Sequence, residues 1–507
     1  MLLKAVHFPH LVPRTIQTME VCLSPLEFAR RARSLYADRE ALVDGDLRLT
    51  YRQFFDRCDR WSSALQSMGV KKGDRVAYIS PNTNSHLAAY YAVPQIGAVM
   101  VPLNYRLIAD DFAYMINHSG ARVVCAHPDY FDAVDSVRSQ IPCVEQFVAL
   151  EAGKQGWLNY EQILASASPE YNTTPISETD LLTINYTSGT TSRPKGVMIT
   201  HRNAYLNVVG TLIHCHMTCS DRYLWTLPMF HANGWTFVWI VTAVGGAHVC
   251  LRRVDPKTVF DLIRHEAVTM LCAAPTVLIS IANAPEGLRK DCPTGVRVLT
   301  AGAPPAAATI GLVEQQLGWE IIHVYGATET TPFIAICESR PEHLAMTSDD
   351  RARIKARQGV ELVTSGELKV VDSSGQEVPH AEASIALNNL GLLYSTNKRF
   401  PEAESAFRRG LEIRRGLFRP DNLNVAIAAF NLADVLTVQG KYEEAEALYR
   451  ESLGVREQQL GPRSFETALT LEHLAKLLRL KNEQDVKAIE ARAKSIRREG
   501  ELIRSIK

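Results

Sequence analysis

Charge of neither sign is in excess in this 507-residue sequence, where 55 Lys and Arg balance 55 Asp and Glu. A surface dedicated to nucleic acid draws its affinity from displaced counterions and needs a basic surplus, so DNA and RNA are excluded as main partners. Long apolar runs are also lacking. The longest, Trp235 to Cys250, is interrupted by Gly245-Gly246 and is too short for a bilayer, so no transmembrane segment is expected. The opening residues, Met1 to His10, hold no apolar stretch ending in a small-residue cleavage site, which argues against secretion. The ten cysteines then read as reduced, buried small hydrophobes of a cytoplasmic protein.

Other absences are confined to one end. No Trp or Cys follows residue 340, and only three Pro follow residue 380. Residues 381–507 carry 21 Lys and Arg against 18 Asp and Glu, leaving 34 against 37 for residues 1–380. Such a rise in charged fraction is what exposed helices give when they follow a large mixed core. A domain boundary is therefore placed near Pro379-His380, dividing residues 1–379 from residues 381–507.

The tail repeats itself. A shift of 42 residues superposes Asn389-Leu390 on Asn431-Leu432, and Leu390 and Leu432 on Leu474; it also superposes Glu402-Ala403-Glu404 on Glu444-Ala445-Glu446. Apolar residues recur at helical spacing within each unit, as at Leu387, Leu390, Leu393 and Tyr394, then Ala403, Ala406, Phe407 and Leu411. Breaks at Asn397-Lys398 and Gln439-Gly440 split each unit into two helices, and neighbouring pairs must stack to bury their apolar faces. The pattern resembles tetratricopeptide repeats of the kinesin-light-chain-like kind, over about residues 384–425, 426–467 and 468–504. The resemblance implies a concave groove for a protein or peptide partner. The plainer alternative is a short array that only caps the front. The basic end (Arg492, Lys494, Arg497, Arg498, Arg504, Lys507) reads as a solvated helix face.

The front alternates short β-branched runs (Val76–Ser80, Arg122–Ala126, Leu181–Tyr186, Val296–Thr300) with helical stretches such as Thr50 to Met68. That alternation predicts an α/β domain of largely parallel sheets flanked by helices, followed by the all-α repeat solenoid. Ligands of such sheets sit at the carboxyl ends of the strands.

The segment Tyr186-Thr-Ser-Gly-Thr-Thr-Ser-Arg-Pro-Lys-Gly196 empties from a strand into a loop bearing the hydroxyls of Thr187, Ser188, Thr190 and Thr191, a permissive Gly189 and Lys195. Hydroxyls and free N–H groups wrap phosphate oxygens, glycine lets the backbone approach, and an ammonium offsets phosphate charge. The spacing is not that of a Walker A loop. Here the sequence resembles the phosphate loop of the acyl-adenylate-forming superfamily, which includes the acyl-CoA synthetases. Further matches follow in the family's order: Leu227-Pro-Met-Phe-His-Ala-Asn-Gly-Trp235, Thr300-Ala-Gly-Ala-Pro-Pro305 and Tyr325-Gly-Ala-Thr-Glu-Thr330. With Pro81-Asn82 and Gly97 to Asn104 they extend the resemblance over about residues 20–379, most like short- and medium-chain fatty acyl-CoA synthetases, with benzoate-type ligases next.

The resemblance implies that Thr187, Ser188, Gly189, Thr190, Thr191 and Lys195 hold the ATP phosphates, with Ala303 and Tyr325 framing adenine. Thr328 would touch the α-phosphate and Glu329 would hold Mg²⁺, so that Lys195, Thr328 and Glu329 form the catalytic set. A carboxylate after a strand-end turn suits a hard cation that shares oxygen ligands with phosphates. His231 and Trp235 would line the acyl pocket; the plainer readings are a core histidine and a packing tryptophan. A general-base role for His231 is set aside, because a carboxylate nucleophile is already ionised at pH 7. The run His214-Cys-His-Met-Thr-Cys219 falls in one short segment with no second ligand pair and is not read as a metal site.

Two features of the family pattern are missing. Family members continue through a Gly-Asp turn whose aspartate holds the ribose, then into a small domain bearing a catalytic lysine. No aspartate after Glu329 follows a glycine, and Gly440-Lys441 is a helix break of the repeats. The run Glu367 to Asp372 reads as a strand opening the family's small barrel, which then stops. Ser192 stands where the family usually has Gly, at a cost of about 1–2 kcal/mol if φ is positive there. Lost charge-assisted contacts cost about 1.5–3 kcal/mol each. Two readings therefore stand: an ATP-dependent acyl-CoA synthetase, using coenzyme A as co-substrate and weakened by these losses, or a non-catalytic nucleotide-binding remnant joined to a protein-interaction module. A junction of unrelated sequences at His380-Ala381 is a third.

Overall fold

The computed structural model describes residues 21–187, 193–303, 305–369, 381–396, 398–481 and 486–506. The expected loop positions Ser188, Gly189, Thr190, Thr191 and Ser192 lie outside the described residues, as does the expected boundary at Pro379-His380. Two compact units divide between Gly366 and Glu367.

Among the described residues the front unit holds two sheets. One has seven strands in the order Leu158–Asn159, Gln146–Ala149, Ala121–Ala126, Arg75–Ile79, Val99–Pro102, Leu181–Thr187 and Lys195–Thr200. Every pairing in it is parallel except the last, a hairpin. The other has nine strands in the order Val360–Glu361, Phe333–Ile336, Glu320–Gly326, Arg297–Thr300, Met270–Ala273, Arg222–Leu224, Ala247–Val249, Glu40–Asp44 and Leu47–Thr50. Its middle is parallel and its edges antiparallel. The β-branched runs named from the sequence all become strands, since their residues pack on both faces of a covered sheet.

The helix Tyr51–Ser67 starts where Thr50 accepts from the Gln53 N–H in a capping box. It buries Phe54, Phe55, Cys58, Trp61 and Leu65 at helical spacing. The helix Asn84–Gln95 is buried at every residue. His86 stacks on Tyr78 of the seven-stranded sheet with centroids 5.9 Å apart, and the Tyr90 hydroxyl donates at 2.6 Å to Met229 O, in the segment that follows the strand Arg222–Leu224 of the other sheet. Asn82 draws the strand ends together. Its amide nitrogen donates to Trp225 O at 2.8 Å and Leu227 O at 3.0 Å, while its oxygen accepts from Met229 N at 2.8 Å.

One expectation fails. Residues 367–369 of the anticipated strand Glu367 to Asp372 carry no strand, and 370–372 lie outside the described residues. The last strand of the nine-stranded sheet is instead Val360–Glu361, after which Val363 N donates to His214 Nε2 at 3.3 Å and Thr364 Oγ1 to Leu206 O at 3.1 Å. The chain is thereby bonded back onto the helix His201–Cys215 rather than into another sheet.

Among the described residues the tail unit is six helices: Ala381–Thr396, Phe400–Leu417, Leu423–Val438, Tyr442–Leu460, Phe465–Leu480 and Val486–Ile506. Lys398 and Gly440 take φ of 58° and 77° at the breaks, where the chain must reverse. Ala403 and Ala445 are fully buried, as close helix approach requires, and Leu432 and Leu474 are buried too. Leu390, their counterpart in the first helix, is 38% exposed. The 42-residue period reaches further than the apolar residues. Arg414 donates to Asn424 O at 2.9 Å, and Arg456, its counterpart one period on, donates to Glu466 O at 3.2 Å. Both guanidinium groups are buried, and burial lowers the pKa of each.

Candidate functional site

The strand Leu181–Thr187 turns back into Lys195–Thr200, with Thr187 in register opposite Lys195, which is exposed. The flanks of the hydroxyl-rich loop are thus the last and first residues of two paired strands. In the other sheet, Arg297–Thr300 and Glu320–Gly326 run parallel with Thr300 beside His323. Ala303 and Tyr325 therefore lie at the same end of neighbouring strands; Ala303 is exposed and Tyr325 is 50% exposed. A Cβ on Gly326 would stand 1.8 Å from Pro332 O, so only glycine fits that approach. The turn beyond is pinned by Ala327 N, which donates to Pro332 O at 3.0 Å and to Thr330 Oγ1 at 2.8 Å. Thr328 is buried in this turn and Glu329 is exposed.

The two sheets meet here. Thr187 Oγ1 donates to Glu329 Oε1 at 3.4 Å, across 142 residues of sequence. A hydroxyl from one motif and a carboxylate from another are side by side, which is an arrangement suited to phosphate oxygens and a hard cation.

His231 and Trp235 flank a stretch of backbone that the sequence reading did not anticipate. Ala232, Asn233, Gly234, Trp235 and Thr236 take φ of 45°, 56°, 56°, 53° and 64°. Five successive left-handed residues cost about 1–2 kcal/mol each where they carry a Cβ, so the surroundings must hold them. Asn233 Nδ2 donates to Thr183 Oγ1 at 2.9 Å, and its oxygen accepts from Asn185 Nδ2 at 3.0 Å. Asn185 also donates to Phe230 O at 3.3 Å, and Thr236 Oγ1 to Asn207 Oδ1 at 3.2 Å. A Cβ on Gly234 would meet the Trp225 ring at 2.4 Å. The strand that ends at Thr187 is therefore the same strand that fixes the turn carrying Trp235. The Asn-Gly pair inside the motif was the available signal, because both residues accept positive φ.

His231 is exposed rather than part of the core. Protein packed around the rest of its ring, and then the charge of Arg106, lower its pKa, so it is neutral at pH 7. Trp235 is 4% exposed and stands edge-on to Phe333 with centroids 5.5 Å apart. Neither Arg106 nor Asn233 was singled out from the sequence. His214 has both ring nitrogens engaged, Nδ1 with Glu338 at 2.6 Å and Nε2 with Val363 N.

Residues 28–387 match the AMP-binding enzyme family, and residues 382–458 and 424–499 match the tetratricopeptide repeat. The chain is 38% identical over 368 residues to 4-hydroxybutyrate–CoA ligase 2 of Metallosphaera sedula, a match covering 70% of this chain and 66% of that ligase. It is 35% identical over 383 residues to the peroxisomal trans-cinnamate:CoA ligase of Petunia hybrida, covering 71% and 67% respectively. The inhibitor-bound N-terminal domain of FACL13 from Mycobacterium tuberculosis superposes with a TM-score of 0.63 at 26% identity, over 70% of this chain and 86% of that one. This chain spans about two thirds of the length of the curated relatives it matches. With its nucleotide-type motifs converging at the strand ends and CoA ligases as its relatives, the chain belongs to the AMP-binding enzyme family, and its closing helices are tetratricopeptide repeats.

Proposed function

We propose that the front of this chain binds ATP and joins a short- or medium-chain carboxylate to AMP, with coenzyme A as the acceptor of a second step. The observation that carries this reading is the contact between Thr187 and Glu329, which unites two motifs distant in sequence. Thr187 to Thr191 and Lys195 hold the phosphates, Ala303 and Tyr325 flank adenine, and Thr328 faces the α-phosphate. Glu329 fits Mg²⁺: its carboxylate is exposed, and among the described residues the one hydrogen bond to it is the long one from Thr187. A bound cation would supply positive charge against the phosphate oxygens.

In the step proposed, a carboxylate oxygen bonds to the α-phosphorus and the bond to pyrophosphate breaks, pyrophosphate leaving with the electron pair. Two anions approach each other, so Lys195 and the hydroxyls supply the stabilisation. No base is needed for an ionised carboxylate, and neutral His231 lines its path without capturing it as an ion pair. Trp235, held against Phe333, closes the pocket and favours short chains. The test is ATP–pyrophosphate exchange over aliphatic carboxylates of graded length and cinnamate. Exchange should be greatest with short acids and fall about 100-fold or more in Lys195→Ala and Glu329→Ala. No exchange above those variants removes the catalytic reading.

A second reading is favoured by one observation: no Gly-Asp pair follows Glu329, and the described residues from Ala381 to Ile506 form repeat helices instead. The chain would then bind nucleotide without turnover and present its repeats to a protein or peptide partner. ATP binding by titration with no exchange, together with capture of one specific partner by the full chain, is its expected result. No helix among the described residues is long and apolar enough to cross a membrane. The proposed compartment is the cytoplasm.

A further inference from the structure

The strand Lys195–Thr200 is the outermost of its sheet, so backbone pairing holds it on one side only. The helix Ala109–Ser119 instead holds the residues just before this strand and the end of its paired strand. Tyr114 and His118, four residues apart, share one face of it, their rings 5.4 Å apart. The Tyr114 hydroxyl donates to Pro194 O at 3.2 Å, and the Arg193 guanidinium lies 5.2 Å over its ring. His118 Nδ1 is 2.8 Å from the Tyr186 hydroxyl, which itself donates to Met115 O at 3.1 Å. The tyrosine's one proton is thereby committed, and His118 Nδ1 is the donor. On the facing strand Gly196 leaves room: a Cβ there would lie 3.4 Å from the Tyr186 ring and 2.9 Å from Ile184.

Residue 186 enters the hydroxyl-rich loop and residues 193–194 leave it, so one helix holds both flanks. We propose that Tyr114 and His118 are positioning residues that clamp Tyr186 and Pro194, the described flanks of the hydroxyl-rich motif, for nucleotide binding; that ATP binds at this motif rests on the proposed function. Ordered flanks leave less conformational entropy to be lost when phosphates bind. His118 is exposed, while Tyr114 is half-buried with its ring against the core, so Tyr114→Phe, which keeps the ring, separates the hydrogen bond from the packing.

The experiment compares the full chain with Tyr114→Phe, Tyr114→Ala/His118→Ala and, as a control on the same helix, Asn117→Ala. Amide hydrogen exchange without nucleotide should accelerate about tenfold over residues 193–198 in the double variant, with the helix Tyr51–Ser67 unchanged. Titration with MgATP should show affinity about tenfold weaker in the double variant and about threefold weaker in Tyr114→Phe, which keeps the ring but not the hydrogen bond. Asn117→Ala should match the parent in both. Unchanged exchange over 193–198, or an equal effect from Asn117→Ala, overturns the clamp. Accelerated exchange with unaltered ATP affinity overturns its role toward nucleotide. Absence of ATP binding by the parent chain overturns the proposed function instead, and the exchange result still decides the clamp.

Discussion

The front and the tail bury their polar groups by opposite means. In the front, the partners are far apart in sequence: Asn82 reaches Trp225 and Met229, and Asn233 reaches Thr183 and Asn185. In the tail, Arg414 and Arg456 each reach a carbonyl ten residues ahead, by the same bond one period apart. A unit held by unique long-range contacts has many single points of failure. A unit held by a repeated local contact spreads its stability over copies of one junction.

Acid should break this comparison most strongly. Burial lowers the pKa of His86 and His201 to about 4 and of His248 to about 3, against about 6.5 in an unfolded chain. Above pH 6.5 neither state binds these protons and the stability is fully present. Below it the unfolded chain takes them up while the folded chain does not, until the pH nears 4. The front should therefore lose about 1.4 kcal/mol per pH unit for each histidine across that window. Residues 381–507 have one histidine, His473, which is part exposed and 2.6 Å from Asp434. Thermal melting from pH 7 to 4.5 should lower the front's transition and leave the tail's nearly fixed; a tail that weakens first would reverse the comparison.

Substitutions sharpen it at single residues. Gly326→Ala would drive a Cβ into Pro332 O and should cost the front about 3 kcal/mol, together with any ATP affinity. Denaturant midpoints within about 1 kcal/mol of the parent would show that the turn yields. Arg456→Ala removes bonds to Glu466 O and Thr470 Oγ1 and the contact with the Phe430 ring. It should cost the tail about 2 kcal/mol, and Arg414→Ala should come close to it if the junctions are equivalent. The smallest effect has the opposite sign. Gly454 lies in a helix with nothing within 4 Å of an added Cβ. Gly454→Ala should raise the tail's stability by about 0.5–1 kcal/mol, as measured by urea unfolding.

How much was legible follows the same division. The strands and the helix after Thr50 could be read because their residues declare themselves locally, by β-branching and by a cap. The tail's period could be read because it is written twice; the guanidinium junction at Arg414 and Arg456 was on that page and went unread. The left-handed turn Ala232–Thr236 was not legible beyond its Asn-Gly pair. Trp235 and Thr236 do not prefer positive φ, and the turn is held by partners far upstream, Thr183 and Asn185 on Asn233 and Asn207 on Thr236. The candidate site was named through family motifs, but the pairing of Thr187 with Glu329 is a property of two sheets meeting, which no spacing encodes.

The junction at Arg414 and Arg456 bears on how the chain could change length. Each period brings both the guanidinium and the carbonyl that the preceding guanidinium needs. An in-frame duplication of 42 residues would therefore arrive with its own seam already complete, and a deletion of 42 would close on an equivalent one. The tail is free to grow or shrink in whole units, while the front, where Gly326 has no room even for a methyl group, must be inherited intact.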